Sequence, residues 1–430
     1  MHSKIFFFLF TAIAVSALMA SDGLTQQQSS TVEDYGTLVA RLNAALGPRS
    51  PFGSVAFDPL PSSPNPSQYP PWSSVTCLQD VSSPPEIVGN DPETWTPSVW
   101  NLKNNALLEQ GGFTTGGLVY FYFLNTLGKT ARLYVGARGT GSTSTTFKYG
   151  VGKAEAVGSV NYEIGGALAT ANFLELYVSG IGLSSGTAPG STATPRPLFA
   201  PITVANNVLV TGEVDVTSVS GPTNFYVYAD DCSPTACPSI TNTAAGDGQM
   251  RGGYFTGAHF TINHNYTASI SNSSGGISWQ DIGRTPTDTC VPALIGKDPI
   301  RGNSSRTLKG DYGVPIVIQG TPYKQYEQFW YLNPRGNVPF AAALWVQEMT
   351  DPNTLKLVNP AAYYLPTTAP SASPQPTVVP DTSHAITLGL DGSTDTRKLV
   401  YVPSGGDSWP VRFYYIIPAG LASLDRAKQQ

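Results

Sequence analysis

The segment Val208-Leu209-Val210-Thr211-Gly212-Glu213-Val214-Asp215-Val216 decides the fold class of this chain. Val208, Val210, Val214 and Val216 stand two or four residues apart, and alternate residues of a strand share a face. One face is therefore apolar, and the opposite face carries Glu213 and Asp215 side by side. The next segment, Phe225-Tyr226-Val227-Tyr228-Ala229, reads as another strand and ends in the acidic pair Asp230-Asp231. Upstream, Leu118–Leu124, a turn through Asn125 and Gly128, and Thr130–Gly136 predict a β-hairpin. Phe173–Val178 continues the strand pattern. A second set follows at Tyr254–Ile262, Val314–Ile318, Gln328–Leu332, Phe340–Gln347, Ile386–Leu390, Lys398–Val402 and Val411–Ile417.

Composition agrees with an all-β reading. Of 430 residues, 43 are Gly and 36 are Pro, so turns are frequent. Only 12% are charged, about half the usual ~25%. The 41% hydrophobic and 11% aromatic content is enough apolar surface to offset the entropy of ordering, which excludes a disordered chain. The net charge is −5. Without any Lys/Arg run, the chain has no basic arm or stripe with which to grip nucleic acid directly. No repeat of 20–50 residues is present, which removes solenoids and propellers. Short strands spaced by Gly/Pro turns predict two β-sandwich or jelly-roll domains, at 97–231 and 250–430. A Cys loop and Gly-rich linker, 232–249, is expected between them.

Residues 1–20 read as a signal peptide: His2 and Lys4, the apolar run Ile5–Met19, then small residues at the cut. The rival is an uncleaved hydrophobic anchor, although the run is short for a span, which needs about 20 apolar residues. Within 21–46, Ser30 and Glu33 make a capping box, and Val32, Tyr35, Val39, Leu42 and Leu46 form one apolar stripe, predicting an amphipathic helix ended by Gly47-Pro48. Ten prolines in 47–85 predict an extended arm over 47–96. Residues 359–382 read as a Pro-rich loop or linker.

Three Asn-x-Ser/Thr acceptors, at Asn265, Asn272 and Asn303, fit a glycosylated face on a secreted chain. The four cysteines, Cys77, Cys232, Cys237 and Cys290, allow three pairings. Cys232–Cys237 would close a local loop and leave Cys77–Cys290 as a long-range staple. A zinc site is the weaker alternative: no CxxC pair exists, and only His259, His264 and His384 of the mature chain would supplement the thiolates.

Two stretches carry catalytic patterns. Gly182-Leu183-Ser184-Ser185-Gly186 matches the GxSxG elbow, but that motif needs a helix directly after the serine, and Thr187-Ala188-Pro189-Gly190 cannot supply one. It is expected to be a turn. Glu213 and Asp215 on one strand face resemble part of the ExDxxE signature of laminarinase-like glycosidases, where paired carboxylates cleave a glycoside. The third acid is missing, so the expectation is the solvent face of a half-buried strand. No cofactor or metal is expected.

Three aromatic clusters stand out: Tyr120-Phe121-Tyr122-Phe123, Phe329-Trp330-Tyr331 and Phe413-Tyr414-Tyr415. Consecutive aromatics on a strand must face both sides of the sheet, so half of each cluster leaves its own core for a second layer, a neighbouring subunit or a glycan. Gly116–Phe123 with Arg132-Leu133-Tyr134-Val135, and Val208–Val216 leading to Phe225–Asp231, resemble the strand patterns of picorna-like jelly-roll capsid proteins over about 60 of the 430 residues. The resemblance implies a two-jelly-roll shell subunit with an extended N-terminal arm. The expectation is a non-catalytic, self-associating coat subunit, assembling with itself or related subunits, outside the cell or on a virion surface. The alternatives are a secreted surface glycoprotein that binds carbohydrate or protein, and a glycoside hydrolase using Glu213 and Asp215.

Overall fold

A computed structural model describes residues 75–82, 84–98, 105–157, 170, 173, 177, 183–231, 240–249, 251–264, 276–282, 290–308, 310–320, 329–334, 340–351, 354–357, 361–365, 385–387, 397–403 and 411–417. The expected signal segment, the helix within 21–46, residues 47–74 of the arm, Cys232, Cys237, Asn265, Asn272 and His384 lie outside them. Of the described part, 57% is strand and 2% helix, an all-β chain.

In chain order the strands are β1 (Val75–Gln79), β2 (Glu86–Gly89), β3 (Thr94–Trp95), β4 (Asn105–Phe113), β5 (Gly117–Asn125), β6 (Ala131–Gly139) and β7 (Thr145–Val157). There follow β8 (Ser184–Ala188), β9 (Arg196–Pro197), β10 (Ile202–Val204), β11 (Val208–Thr217), β12 (Thr223–Asp230) and β13 (Ile240–Thr243). Next come β14 (Gly253–Phe255), β15 (Phe260–His264), β16 (Gly276–Ile282), β17 (Leu294–Asp298), β18 (Ser304–Leu308), β19 (Ile316–Gly320) and β20 (Phe329–Pro334). The last are β21 (Phe340–Asp351), β22 (Thr354–Leu357), β23 (Ala361–Leu365), β24 (Ala385–Thr387), β25 (Arg397–Val402) and β26 (Val411–Ile417).

A nine-stranded sheet runs β18-β17-β14-β2-β5-β11-β7-β8, with β3 also on β5, and a six-stranded sheet runs β10-β6-β12-β4-β13, with β9 on β6. One apolar core joins the two: Val119, Phe121 and Phe123 of β5 and Val210, Val214 and Val216 of β11 meet Leu133 and Val135 of β6 and Phe225 and Val227 of β12. Phe225 stacks on Phe113 at 4.9 Å and meets Phe147 edge-on at 5.2 Å. The valine face read from the sequence of β11 is thus the core face.

The expected hairpin at 118–136 is corrected. β5 and β6 are not hydrogen-bonded to each other but sit in opposite sheets. The turn between them is built by the Asn125 side chain, which donates to the Lys129 and Val204 carbonyls and accepts from the Leu127 N–H. That anchoring folds β6 across the core so that its apolar face meets that of β5.

The expected boundaries are also crossed. The arm is not bare: Pro84 and Pro85 only precede β2, which pairs in parallel with β5, while β1 pairs with β15 in a seven-stranded sheet running β1-β15-β19-β25-β21-β22, with β23 on β21. β14, β17 and β18, placed in a second sandwich by the sequence, extend the nine-stranded sheet. The linker 232–249 contributes β13, parallel to β4. The Pro-rich segment 359–382 opens with β23, because Ala361-Ala362-Tyr363-Tyr364-Leu365 is free of proline and pairs with β21. β16, β26, β20 and β24 form a four-stranded sheet that pairs two of the aromatic strands, β20 and β26.

The expected strand Phe173–Val178 is corrected at its described residues, Phe173 and Tyr177, which are helical. Thr170 is helical too, and the three stand three and four residues apart, one face of a helix. Phe173 is fully buried in a small cluster with Leu118 of β5 and Val400 and Val402 of β25, against which Tyr177 and Val317 of β19 pack. This layer covers the face of the nine-stranded sheet opposite the main core. Tyr120 and Tyr122, which leave the main core, are buried on that same face.

Candidate functional site

Strand register assembles a row of acids under this second layer. Glu86 of β2 is paired with Leu118 of β5, which is paired with Asp215 of β11, which is paired with Gly150 of β7. One step along, Val88, Tyr120, Glu213 and Gly152 line up in the same way. Strands lie about 4.8 Å apart, so Glu86 on β2 stands two strands away from Glu213 and Asp215 on β11, with β5 between them, on the same face of the sheet. The glycines of β7 bring no side chain over Glu213 and Asp215.

The sequence reading of Glu213 and Asp215 as one face holds, but that face is not solvent. Glu213 is 1% exposed and Glu86 0%. Among the described residues no hydrogen bond reaches either carboxyl oxygen of Glu86 or Glu213. Burial pushes the Glu213 carboxyl far above the ordinary range, and the charges of Glu86 and Asp215 push it further. Burial and the charge of Asp311 act in the same direction on Glu86. Asp215, only partly buried, is raised by burial to about 6. Tyr177 faces the row, and its phenol is pushed up to about 12 by burial and by the charges of Asp215 and Glu213. Gly313 closes the other end with φ +80; a Cβ there would sit 2.4 Å from Glu86 Oε1 and 2.9 Å from Tyr120 Cβ. Only a residue without a side chain fits.

A second buried acidic cluster has the opposite character. Asp298, at the end of β17, is fully buried and accepts hydrogen bonds from Arg301 Nη1 at 3.1 Å and Arg306 Nε at 3.1 Å, with Arg306 Nη2 also in contact. Burial alone would raise its carboxyl; hydrogen bonds and charge from Arg306 and Arg301 outweigh it and hold the group below the ordinary range. The same arginines reach Asp91 Oδ2 at 3.6 and 3.4 Å, and Arg301 Nη2 donates to the Asp91 carbonyl at 2.7 Å. Burial dominates at Asp91, whose carboxyl is raised despite them. Glu109 of β4, against this cluster, is raised far by burial and by Asp298. These bonds tie the β17–β18 hairpin to the segment after β2. No sequence motif marks the cluster, because its members are spread from residue 91 to residue 306.

The remaining candidates separate. Cys77 and Cys290 are disulfide-bonded, with Cα atoms 4.9 Å apart. Asn303 is exposed at the tip of the β17–β18 hairpin with φ 56, a backbone region that Asn tolerates. Ser184 and Ser185 are exposed on β8, so Ser184, Ser185 and Gly186 of the GxSxG match lie on a strand where a turn was expected. Gly186 of that match leaves the space filled by the Phe147 ring, 2.4 Å from where its Cβ would be. His264 is buried, and burial lowers its imidazole to about 3. Among the described residues no group of three or more His, Cys, Asp or Glu is placed to hold a metal ion, and no helix is long and apolar enough to cross a membrane. A scan against protein-family models finds no match to this chain, and a search of curated proteins finds none.

Proposed function

We propose that this chain is a non-catalytic, self-associating structural protein, a coat or shell subunit of capsid-like jelly-roll type. The observation that carries the reading is a set of nested strand pairs. β4 pairs with β12, β5 with β11 and β6 with β10, all antiparallel, each pair enclosed in sequence by the one before. The first and third pairs lie in the six-stranded sheet and the second in the nine-stranded sheet. A long antiparallel ribbon rolled across two sheets is the plan of a jelly roll, and it supports the resemblance to picorna-like capsid proteins carried by β5, β6, β11 and β12. The burial of Glu213 argues in the same direction, since a glycosidase acid must touch its sugar.

Size-exclusion chromatography with light scattering on the purified chain tests the reading. Assembly into particles of many subunits is the expected result; a stable monomer at all concentrations overturns it. A second reading, a secreted surface glycoprotein that binds carbohydrate or protein, draws on the Cys77–Cys290 disulfide, which suits an oxidising compartment, and on the accessible acceptor Asn303. That protein would stay small in the same experiment.

A further inference from the structure

The fold encloses carboxyls that it does not pair. Glu86 and Glu213 are fully buried, are reached by no hydrogen bond among the described residues, and sit in register with Leu118 and Tyr120 beneath the second layer. An ionised carboxylate in such a place is stable only with a partner, and a neutral acid is far cheaper to bury. Among the described residues, the groups facing the row offer no positive charge. From β5 comes Tyr120, from the helical segment Tyr177, from the loop before β19 Asp311, and from β7 only Gly150 and Gly152, with Lys148 exposed beyond them against Thr217. From β25 and β19 come Val400, Val402 and Val317. Among the described residues, the charges acting on Glu86 and Glu213 are acidic.

We propose that Glu86, Glu213 and Asp215 form a pH-operated latch between the nine-stranded sheet and the layer of Phe173, Tyr177, Val400 and Val402 that packs over it. Protonated, the acids are neutral and the layer is seated. As the pH rises they lose protons to solvent, three like charges accumulate on one face, and the layer lifts to let water reach them. The main core between the sheets, on the other face, keeps its packing. This inference does not depend on self-association.

Hydrogen exchange of the full chain at pH 5 and pH 8, corrected for the intrinsic pH dependence of exchange, reads the latch directly. Between the two pH values, peptides covering 170–177 and 397–402 are expected to lose at least tenfold in protection, while β6 and β12 lose none. In the double variant Glu86→Gln, Glu213→Gln the two peptides should keep their protection at pH 8. Equal loss in wild type and double variant, or no loss in wild type, overturns the proposal. If the double variant does not fold, Asp215→Asn at the partly exposed end of the row serves instead. A reduced loss in the same peptides supports the latch, and an unchanged loss overturns it.

Discussion

Asp298 and Glu213 are equally hidden from water, yet the molecule treats their charges in opposite ways. Asp298 lies between two guanidinium groups that hold its carboxyl ionised. Glu213 lies among other acids and faces a tyrosine, with no group among the described residues to stabilise a negative charge. A buried acid can thus act as a fastener or as a conditional element, depending only on its neighbours. The fastener ties the β17–β18 hairpin to the segment after β2, drawing distant parts of the chain into one sheet. The conditional row sits where a second layer meets that sheet.

The two acids give opposite pH signs. For Asp298 the folded-state value is below the unfolded one, so its stabilisation is full above the ordinary carboxylate range and is lost as the pH falls through the folded value. For Glu86 and Glu213 the folded-state value is above the unfolded 4.5, so stability is greatest below about that pH and declines as the pH rises toward the folded value. Asp215 contributes a decline between 3.8 and about 6.

The largest expected effect comes from breaking the fastener. Asp298→Ala removes the partner that Arg301 and Arg306 hydrogen-bond most closely and leaves them only the longer ion contacts to Asp91 Oδ2, and loss of one member of a buried ion pair costs about 3–5 kcal/mol. Denaturant unfolding at pH 7 should show that loss; a change below about 1 kcal/mol would mean the pair is a surface contact in practice. A smaller effect is expected at the far end of the acid row. Gly313→Ala places a methyl group against Glu86 and Tyr120 at a positive φ, at a cost of roughly 1–3 kcal/mol. The same unfolding experiment at pH 5 should resolve it, and a neutral result would mean that the Glu86 end of the row is loosely packed.

The same contrast explains what could be read from the sequence. Period-two valines revealed β11 and its core face, and the aromatic run revealed β5 and that half of its rings leave the main core, because strand alternation is local. Glu213 and Asp215 were legible as a pair for the same reason. Their burial was not, since it depends on Phe173 and Tyr177, which the pattern read as part of a strand, and on β25 some two hundred residues later. The Asp298 cluster was invisible: Asp91, Glu109, Arg301 and Arg306 carry no shared spacing. Sheet membership was not legible on similar grounds. Prolines and glycines mark turns, but they do not say which sheet the next strand will join, as β2, β13 and β23 demonstrate. The expected hairpin failed because a short turn can cross between sheets as readily as along one.

The contrast between the two acids is tested most directly by the unfolding free energy of wild type and Glu213→Gln measured from pH 4 to pH 9. The amide keeps the shape and cannot ionise, so any constant offset reports packing and only the slope reports charge. The difference should grow in favour of the variant as the pH rises above about 4.5, by up to about 1.4 kcal/mol per pH unit until the folded-state value is passed. A difference that stays flat across that range, or one that turns in favour of wild type at high pH, would show that Glu213 has a partner for its charge and would contradict the account.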